Sequence, residues 1–395
     1  MGDVEGPADP AATAKPAVLI IGGLGYIGRF LAQHIHAHGL ASTLRIVDKQ
    51  LPQLASLAPE HEAACSGAHF LQADASREQS QARIFDLPAG PDGGGKREFD
   101  YVFNCGGETR FSQDDEVYKV RSYQLSLTVG QEAARRGVKA FVEVSTGQVY
   151  NPTRAPQRET DRTSKPHTKQ AKWKLLAEEA LARIPRLRLC VLRLPFVYGP
   201  YCGRWLGTQL ALARVYQGRE PRETMKWLWG SELRTNTLHV EDAARAAWLA
   251  AEWRARNDRI PGAPATERIV FNVVDRGATS QGTLAAIIKQ LFGLETGFQN
   301  ALVNTYARLN LEHVVDEVND DTLDDWAELQ REAGIQDGGG PLSPFMEKEL
   351  LRDADLSLDG ARFESVVGFR PRHELITKEE VQAVIESYKR MGWWP

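Results

Sequence analysis

Short runs of consecutive apolar residues alternate with amphipathic stretches along the first half of the chain. We predict six of these runs as strands: AVLIIG (17–22), TLRIVD (43–48), AHFLQAD (68–74), DYVFNC (100–105), AFVEVST (140–146) and RLCVLRLP (188–195). Strands that are apolar along most of their length are covered on both faces. Helical patterns lie between the runs, and one of them, LSLTVGQEAARRG, closes with Gly137 as a C-terminal stop. This alternation predicts an α/β fold with a doubly wound parallel sheet.

Three glycines follow the first predicted strand directly. In VLIIGGLGYIGRF they are Gly22, Gly25 and Gly28, with the spacing G-x-x-G-x-x-G. Glycine allows a tight turn and lets a pyrophosphate approach bare backbone, and the free N–H groups of the next helix, from Tyr26 and Ile27 to Gly28, favour an anion. A glycine-rich turn in an unrelated α/β fold is the alternative. Because a strand precedes the turn and an amphipathic helix follows, we predict a dinucleotide-binding Rossmann fold.

The second predicted strand ends in Asp48, twenty residues after Gly28. A carboxylate at this place accepts hydrogen bonds from the adenosine ribose and repels a 2′-phosphate. We therefore predict NAD rather than NADP as the cofactor, although Lys49 beside it weakens that preference.

Two further strand ends supply candidate cofactor residues. Asp74 ends HFLQAD, where it can meet the adenine edge or be a plain exposed aspartate. The fourth strand ends in NCGGETR, so that Cys105, Gly106 and Gly107 lie at the same edge of the sheet. Small residues there would let the cofactor lie across this edge, and an ordinary strand-to-loop turn is the alternative.

Past residue 195 the alternation loosens, and RIVFNVVDRGATSQGTLAAIIKQLFG (268–293) restores it. We predict three parts: a disordered tail over 1–16, an NAD-binding Rossmann domain over 17–195, and a smaller C-terminal α/β region over 196–395 on the substrate side, from which 268–293 returns to the first sheet. The tract 300–355 is acidic and is expected to be irregular. The stretch 87–100 is rich in Gly and Pro and is expected to be a surface loop.

Composition narrows the class of protein. The chain has 395 residues, a net charge of −4 and 42% hydrophobic residues. The acidic balance argues against binding to nucleic acid or to an anionic membrane, and no run is apolar for the length of a membrane span. The four cysteines form no CxxC pair and no metal-binding spacing, so we expect no metal and reduced thiols in a cytoplasmic protein.

Together these pieces resemble the extended short-chain dehydrogenase/reductase family, which contains the NAD-dependent epimerases and dehydratases of nucleotide sugars. The stretches that carry the resemblance are IGGLGYIG, QAD, FVEVSTGQVYNP, RLPFVYGP, RTNTLHVEDAARAAWLA and FNVVD. In that family a Ser or Thr, a Tyr and a Lys form the active site. By position the resemblance implies Thr146 as the hydroxyl residue and Lys174 as the residue that holds the nicotinamide ribose.

The family's catalytic tyrosine is missing. Four residues before Lys174, in PHTKQAKWKLLAEE, stands Gln170. An amide does not titrate in the useful range, so it cannot act as the acid or base. His167 lies one turn earlier and is a substitute base or, alternatively, an exposed histidine at the start of a basic helix.

Other departures concern the substrate. Gly147 and Gln148 replace the Asp–Glu pair of the family's dehydratases, which disfavours a dehydratase. Phe196 replaces an Asn that reaches toward a sugar nucleotide. Arg234 matches the family's diphosphate-binding Arg, and a surface Arg is the alternative.

Two functions remain open at this point. One is an enzyme of the nucleotide-sugar epimerase/dehydratase type with non-standard redox chemistry and a small-molecule substrate. The other is a catalytically silent NAD-binding protein that acts as a scaffold, a sensor or a subunit of a complex. The family often dimerises through the helices that include the Lys helix, so a homodimer is the default expectation. The terminal Trp393 and Trp394 can dock onto the fold or onto another subunit.

Overall fold

The computed structural model describes residues 14–88, 97–219, 221–264, 266–336 and 339–395. Of the predicted tail over 1–16, residues 1–13 lie outside this part, as do residues 89–96 of the predicted surface loop.

Seven strands form the central sheet. They are β1 (Ala17–Ile21), β2 (Thr43–Asp48), β3 (Phe70–Gln72), β4 (Tyr101–Asn104), β5 (Ala140–Thr146), β6 (Leu189–Leu194) and β10 (Val270–Asn272). All neighbours are parallel, in the order β10-β6-β5-β4-β1-β2-β3. The predicted doubly wound Rossmann sheet is confirmed, and β10 lies beside β6. The winding reverses between β1 and β4, where a crevice opens at the carboxyl ends of the strands.

Helices cover both faces of the sheet, which explains why the strands are apolar throughout. Val18 and Ile20 of β1 pack into one core with residues of the first helix, whereas Leu19 and Ile21 pack into a second core on the opposite face. The helices that build the Rossmann part are α1 (Tyr26–Ala37), α2 (Pro59–Cys65), α3 (Gln81–Phe85), α4 (Asp115–Tyr118), α5 (Leu125–Arg136), α6 (Lys169–Leu181) and α8 (Val240–Arg256).

The substrate-side region carries two small parallel sheets. In one, β7 (Phe196–Tyr198) pairs with β9 (Thr237–His239), and in the other, β8 (Met225–Trp227) pairs with β11 (Thr296–Phe298). Its helices are α7 (Leu206–Gly218), α9 (Gln281–Phe292), α10 (Ala301–Leu309), α11 (Leu311–Glu332), α12 (Ala361–Val367) and α13 (Lys378–Arg390). Among the described residues no helix is both long and apolar enough to cross a membrane.

The sequence suggested that the tract 300–355 is irregular, and this expectation is wrong. The helices α10 and α11 occupy more than half of the tract. Four residues of α11 at helical spacing are buried: Val315, Asn319, Thr322 and Trp326. The acidic side chains fall on the remaining, solvent-facing surface of α11. An acidic amphipathic helix was therefore mistaken for a loop, since its buried stripe includes two polar residues.

Candidate active site

The three glycines form a close-packed cradle between β1 and α1. Gly22 has a φ of +69°, and a Cβ atom there would lie 2.6 Å from the Cα of Gly106. At Gly28 a Cβ would lie 2.8 Å from the Cα of Gly23 and closer still to the carbonyl oxygen of Gly22. No side chain caps α1, whose first turn begins at Tyr26 after Gly25. The backbone N–H groups of this turn therefore carry no side-chain cap, which suits a phosphate site.

Asp48 lies at the tip of β2 beside this cradle. Its Oδ2 accepts a hydrogen bond from the backbone N–H of Leu24 at 3.2 Å, and its Oδ1 accepts one from Gln50 N. Arg29 supports the turn from the other side and donates to the carbonyl oxygen of Leu24. Nothing in the sequence pattern had singled out Arg29. The aspartate is half-buried, so it is held in place while part of its carboxylate remains accessible.

The other predicted cofactor residues lie along the same edge. Asp74 follows β3 and accepts hydrogen bonds from the backbone and hydroxyl of Ser76, which lower the pKa of its carboxyl against the effect of burial. Burial raises the pKa of Cys105 to about 12, so its thiol is neutral. Gly107 has a φ of +141° and a Cβ there would lie 3.4 Å from the Nζ of Lys174. Gly106 and Gly107 therefore allow close approach, while Asp74 is engaged in a local turn.

Lys174 is buried, and its ammonium group is fully engaged within the protein. Nζ donates to the carbonyl oxygens of Gly106 at 3.2 Å and of Val144 at 2.8 Å, and to Oε1 of Glu143 at 3.2 Å. An ammonium group has three protons to donate. In this structure none of them is left for a ribose hydroxyl.

Glu143 forms a buried ion pair with Lys174 that the sequence did not predict. It is fully buried on β5 and also accepts hydrogen bonds from Nδ2 of Asn104 at 2.6 Å and from Oγ of Ser126 at 2.9 Å. Burial raises the pKa of its carboxyl, while the charge of Lys174 opposes that rise. One feature of the sequence could have revealed it, because Glu143 is the only charged residue in the apolar run AFVEVST.

A second buried ion pair fixes α6 on the sheet. The carboxylate of Glu178 lies 2.6 Å from Nη2 of Arg193 on β6, and both side chains are 1% exposed. The same carboxylate accepts a hydrogen bond from Oγ of Ser145 on β5. Glu178 is one helical turn after Lys174, so this network sets the position of the lysine.

Gln170 lies in the first turn of α6, and its side chain is hydrogen-bonded to the backbone of the Rossmann part. Its amide Nε2 donates to the carbonyl oxygen of Glu108 at 2.9 Å. Thr146, at the end of β5, accepts a hydrogen bond from the backbone N–H of Gln148 at 3.2 Å. Thr168 caps α6 by accepting from Ala171 N. The side chains of Gln170, Thr146 and Thr168 therefore all take part in hydrogen bonds within the protein.

The sequence left two interpretations of His167, a substitute base or an exposed histidine. The second is wrong, because His167 is buried. Only 7% of its surface is exposed, and its Nε2 has no hydrogen-bond partner. Burial, helped by the charge of Arg352, lowers the pKa of His167 to about 4. The imidazole is therefore neutral at pH 7.

The two predicted substrate residues lie in different surroundings. Phe196 lines a cavity and stacks on Trp205, with ring centroids 4.6 Å apart and planes at 3°. Arg234 does not line this cavity, and its Nη1 donates to the carbonyl oxygen of Ala278 at 2.6 Å. The guanidinium is thus partly engaged in holding a turn.

A segment over residues 345–356, which we term the strap, covers the cavity. Glu349 of the strap accepts hydrogen bonds from Ser112 N at 3.0 Å and from Lys169 N at 3.1 Å, at the start of α6. Trp229 donates from Nε1 to the carbonyl oxygen of Leu351 at 2.8 Å. The strap therefore joins the Rossmann part, at the start of α6, to the substrate-side region.

The glycine cradle, the aspartate at the tip of β2 and the crevice at the carboxyl edge define a dinucleotide-binding protein of the Rossmann class. The model of the NAD dependent epimerase/dehydratase family matches residues 18–261, and the chain belongs to this family. The resemblance inferred from the sequence is confirmed, and the family's cofactor is the predicted NAD. No curated protein gives a significant match.

Solved structures with the same fold cover nearly the whole chain. One is the enzyme WbmG of Bordetella bronchiseptica in complex with NAD and UDP, with a TM-score of 0.63, 16% identity, and coverage of 96% of this chain and 97% of that one. Another is the UDP-glucose 4-epimerase of Thermotoga maritima with UDP-glucose, with a TM-score of 0.62, 19% identity, and coverage of 95% and 99%. At these identities the likeness shows the fold.

Proposed function

We propose that the protein binds NAD at the carboxyl edge of its sheet but does not carry out the tyrosine-dependent proton and hydride transfer of its family. The observation that carries this proposal is the engagement of all three protons of Lys174 with Gly106, Glu143 and Val144. A lysine that holds a nicotinamide ribose needs at least one of them. Moving it would leave the buried carboxylate of Glu143 without its counter-charge, which is costly.

The residues present fit the dinucleotide. The space beside Gly22 and Gly28 admits no Cβ atom, and the first turn of α1 has no side-chain cap. The accessible carboxylate of Asp48 suits a ribose diol and disfavours a 2′-phosphate. NAD supplies a redox-active nicotinamide when bound, but the chain's own residues here serve to bind and orient it.

Among the described residues near the position that the family resemblance gives to the tyrosine, Gln170, His167 and Tyr150 are each unsuited to proton transfer. Gln170 has only an amide. His167 has a pKa of about 4, far from the operating pH at which a general base is efficient. The phenol of Tyr150 is buried and donates to Oδ1 of Asn272 at 2.7 Å, and burial raises its pKa to about 12. These observations favour a catalytically silent NAD-binding protein, acting as a sensor or a subunit, over an enzyme.

The test uses the purified full-length chain. NAD and NADP affinities are measured by calorimetry, and the protein is then incubated with NAD and either UDP-glucose or UDP-glucuronate while NADH absorbance and sugar products are followed. We expect NAD to bind and neither sugar to react. The variants Gln170→Tyr and, as its matched control, Gln170→Phe show whether a phenol alone restores turnover.

Turnover of a nucleotide sugar by the unaltered chain would contradict the silent assignment, most directly if Lys174→Met abolished it while NAD still bound. Failure to bind NAD would contradict the cofactor assignment.

A further inference from the structure

The cavity beneath the strap has aromatic walls. Phe196 stacks on Trp205, and both rings line the cavity together with those of Trp227 and Trp229. The indole N–H of Trp227 donates to Oε1 of Gln209 at 2.8 Å, and that of Trp229 donates to Leu351. Because the polar atoms of these two indoles already have partners, their ring faces are what remains for a ligand.

Two of these tryptophans have an unfavourable backbone conformation. The φ angle of Trp205 is +52° and that of Trp229 is +70°. Bulky side chains rarely adopt positive φ, and such conformations concentrate at functional sites, where the surrounding structure holds them. Both strained residues direct rings at the same cavity, which indicates a site built to present aromatic surface.

Two buried polar atoms in the wall of the cavity have no partner within the protein. One is Nε2 of His167, in a residue 7% exposed, and the other is Oγ1 of Thr235, in a residue 9% exposed. Buried polar atoms are nearly always hydrogen-bonded, so each of these requires an explanation. Thr208, Gln209 and Gln281 also line the cavity, so a ligand there meets polar groups as well as rings. A hydroxyl or amide group of a ligand would offer a hydrogen-bond partner to either atom.

The charges around the cavity do not suit a diphosphate. Of its described lining residues, Arg352 is the sole permanent cation, and it donates to the carbonyl oxygen of His167. Two carboxylates, those of Glu347 and Glu349, also line the cavity. Glu347 is paired at 3.7 Å with Arg204 outside the lining, and the lining itself carries one positive and two negative charges, which does not favour a diphosphate.

We infer that this cavity binds a small uncharged aromatic molecule with a hydroxyl or amide group, and not a nucleotide sugar. The inference rests on the proposed function, since it takes the substrate side of an NAD-binding fold as the ligand site. The enclosed volume is about 70 Å³, larger than a single water requires but well below that of a pocket for a drug-sized ligand. The ligand is therefore of single-ring size, and the strap has to shift for anything larger.

The first test needs only the unaltered protein. Binding of phenol, of toluene, which lacks the hydroxyl, and of UDP is measured by ligand-observed NMR with and without saturating NAD. We expect phenol to bind more tightly than toluene, and UDP to bind more weakly than both. Tighter binding of UDP than of phenol, or equal binding of phenol and toluene, would overturn the inference.

The second test removes one of the unpartnered atoms. Thr235→Val replaces the hydroxyl with a methyl group of the same size, and we expect phenol affinity to fall about threefold to tenfold. Thermal stability should stay unchanged or rise, because no hydrogen bond within the protein is lost. Thr305→Val, whose hydroxyl bonds within α10 on the exposed surface, is the control and should leave phenol affinity unchanged.

These experiments separate the two proposals. Binding of NAD without binding of phenol overturns this inference and leaves the proposed function intact. Binding of phenol without binding of NAD supports the inference and overturns the proposed function. An unchanged phenol affinity in Thr235→Val overturns the inference, whatever the stability of the variant.

Discussion

The Nζ atom of Lys174 lies 3.2 Å from a carboxylate oxygen of Glu143, and both side chains are buried beneath the predicted nicotinamide position. A buried ion pair is costly to break because removal of one partner leaves an uncompensated charge. This pair therefore ties the stability of the fold to the lysine that the family resemblance assigns to the nicotinamide ribose.

We expect Lys174→Met to lower the free energy of unfolding by about 3–5 kcal/mol. The double variant Glu143→Gln with Lys174→Met should lose less than the sum of the single losses, because it removes both charges together. Urea denaturation measures all three proteins. Lys172→Met, on the same helix but with an exposed side chain, is the control and should cost less than about 1 kcal/mol. Additive losses would show that the two charges are not coupled.

Asp48 should set the preference for NAD over NADP. In Asp48→Asn an amide oxygen can still accept the hydrogen bond from Leu24 N, but the negative charge is gone. We expect the ratio of NAD to NADP affinity, measured by calorimetry, to fall on the order of tenfold. Asp100→Asn is a matched control, since Asp100 accepts from Ala17 N at the opposite edge of the sheet. A ratio that does not change in Asp48→Asn would refute this role.

Gly28 should tolerate no side chain. Its Cβ would lie within 3 Å of backbone atoms of Gly22 and Gly23, which cannot move aside as a flexible side chain can. We expect Gly28→Ala to destabilise the protein by about 1–3 kcal/mol in urea denaturation and to weaken NAD binding. In Gly218→Ala the nearest atoms are 3.7 Å away, so that variant should retain both properties. Equal behaviour of the two variants would argue against a close-packed cradle.

Stability should depend on pH through His373. Hydrogen bonds to Glu241 and Glu380, with Asp242 nearby, raise the pKa of His373 to about 9, although the ring stacks on His239 at 3.6 Å. A folded-state pKa above the unfolded value of about 6.5 gives stabilisation that is complete below that pH and is lost as pH rises through about 9.

We expect a loss of about 2 kcal/mol in the free energy of unfolding between pH 6.5 and pH 9.5, measured in urea. His373→Gln should flatten this dependence, whereas His36→Gln, on an exposed position of α1, should preserve it. A profile in His373→Gln that matches the unaltered protein would exclude His373 as the cause.

The sequence predicted the sheet and the cradle because both depend on local patterns. Residues that alternate between the two faces of β1 must all be apolar, and Gly22 and Gly28 stand at fixed distances from that strand. The partners of Lys174 could not be predicted in this way. Val144 and Gly106 contribute backbone oxygens, which leave no trace in the residue types, and Glu143 is brought to the lysine only by the packing of α6 on the sheet.

The cavity could not be predicted from the sequence either. Phe196, Trp229, Thr235 and Leu351 are far apart along the chain and meet through the strap, whose course no local pattern predicts. The sequence shows that Phe196 stands where the family has an Asn. The stacking of Phe196 on Trp205 could not be predicted, because Trp205 has a positive φ angle that no local pattern indicates.

Gly106 contacts both the phosphate loop and Lys174, at the two ends of the cofactor crevice. Its Cα leaves no room for a Cβ on Gly22 in the phosphate loop, and its carbonyl oxygen accepts a hydrogen bond from Nζ of Lys174. A displacement of the loop by a pyrophosphate would push on Gly106 and alter the length of its bond to the ammonium group. The phosphate loop and Lys174, at opposite ends of the proposed dinucleotide site, thus share one backbone residue between them.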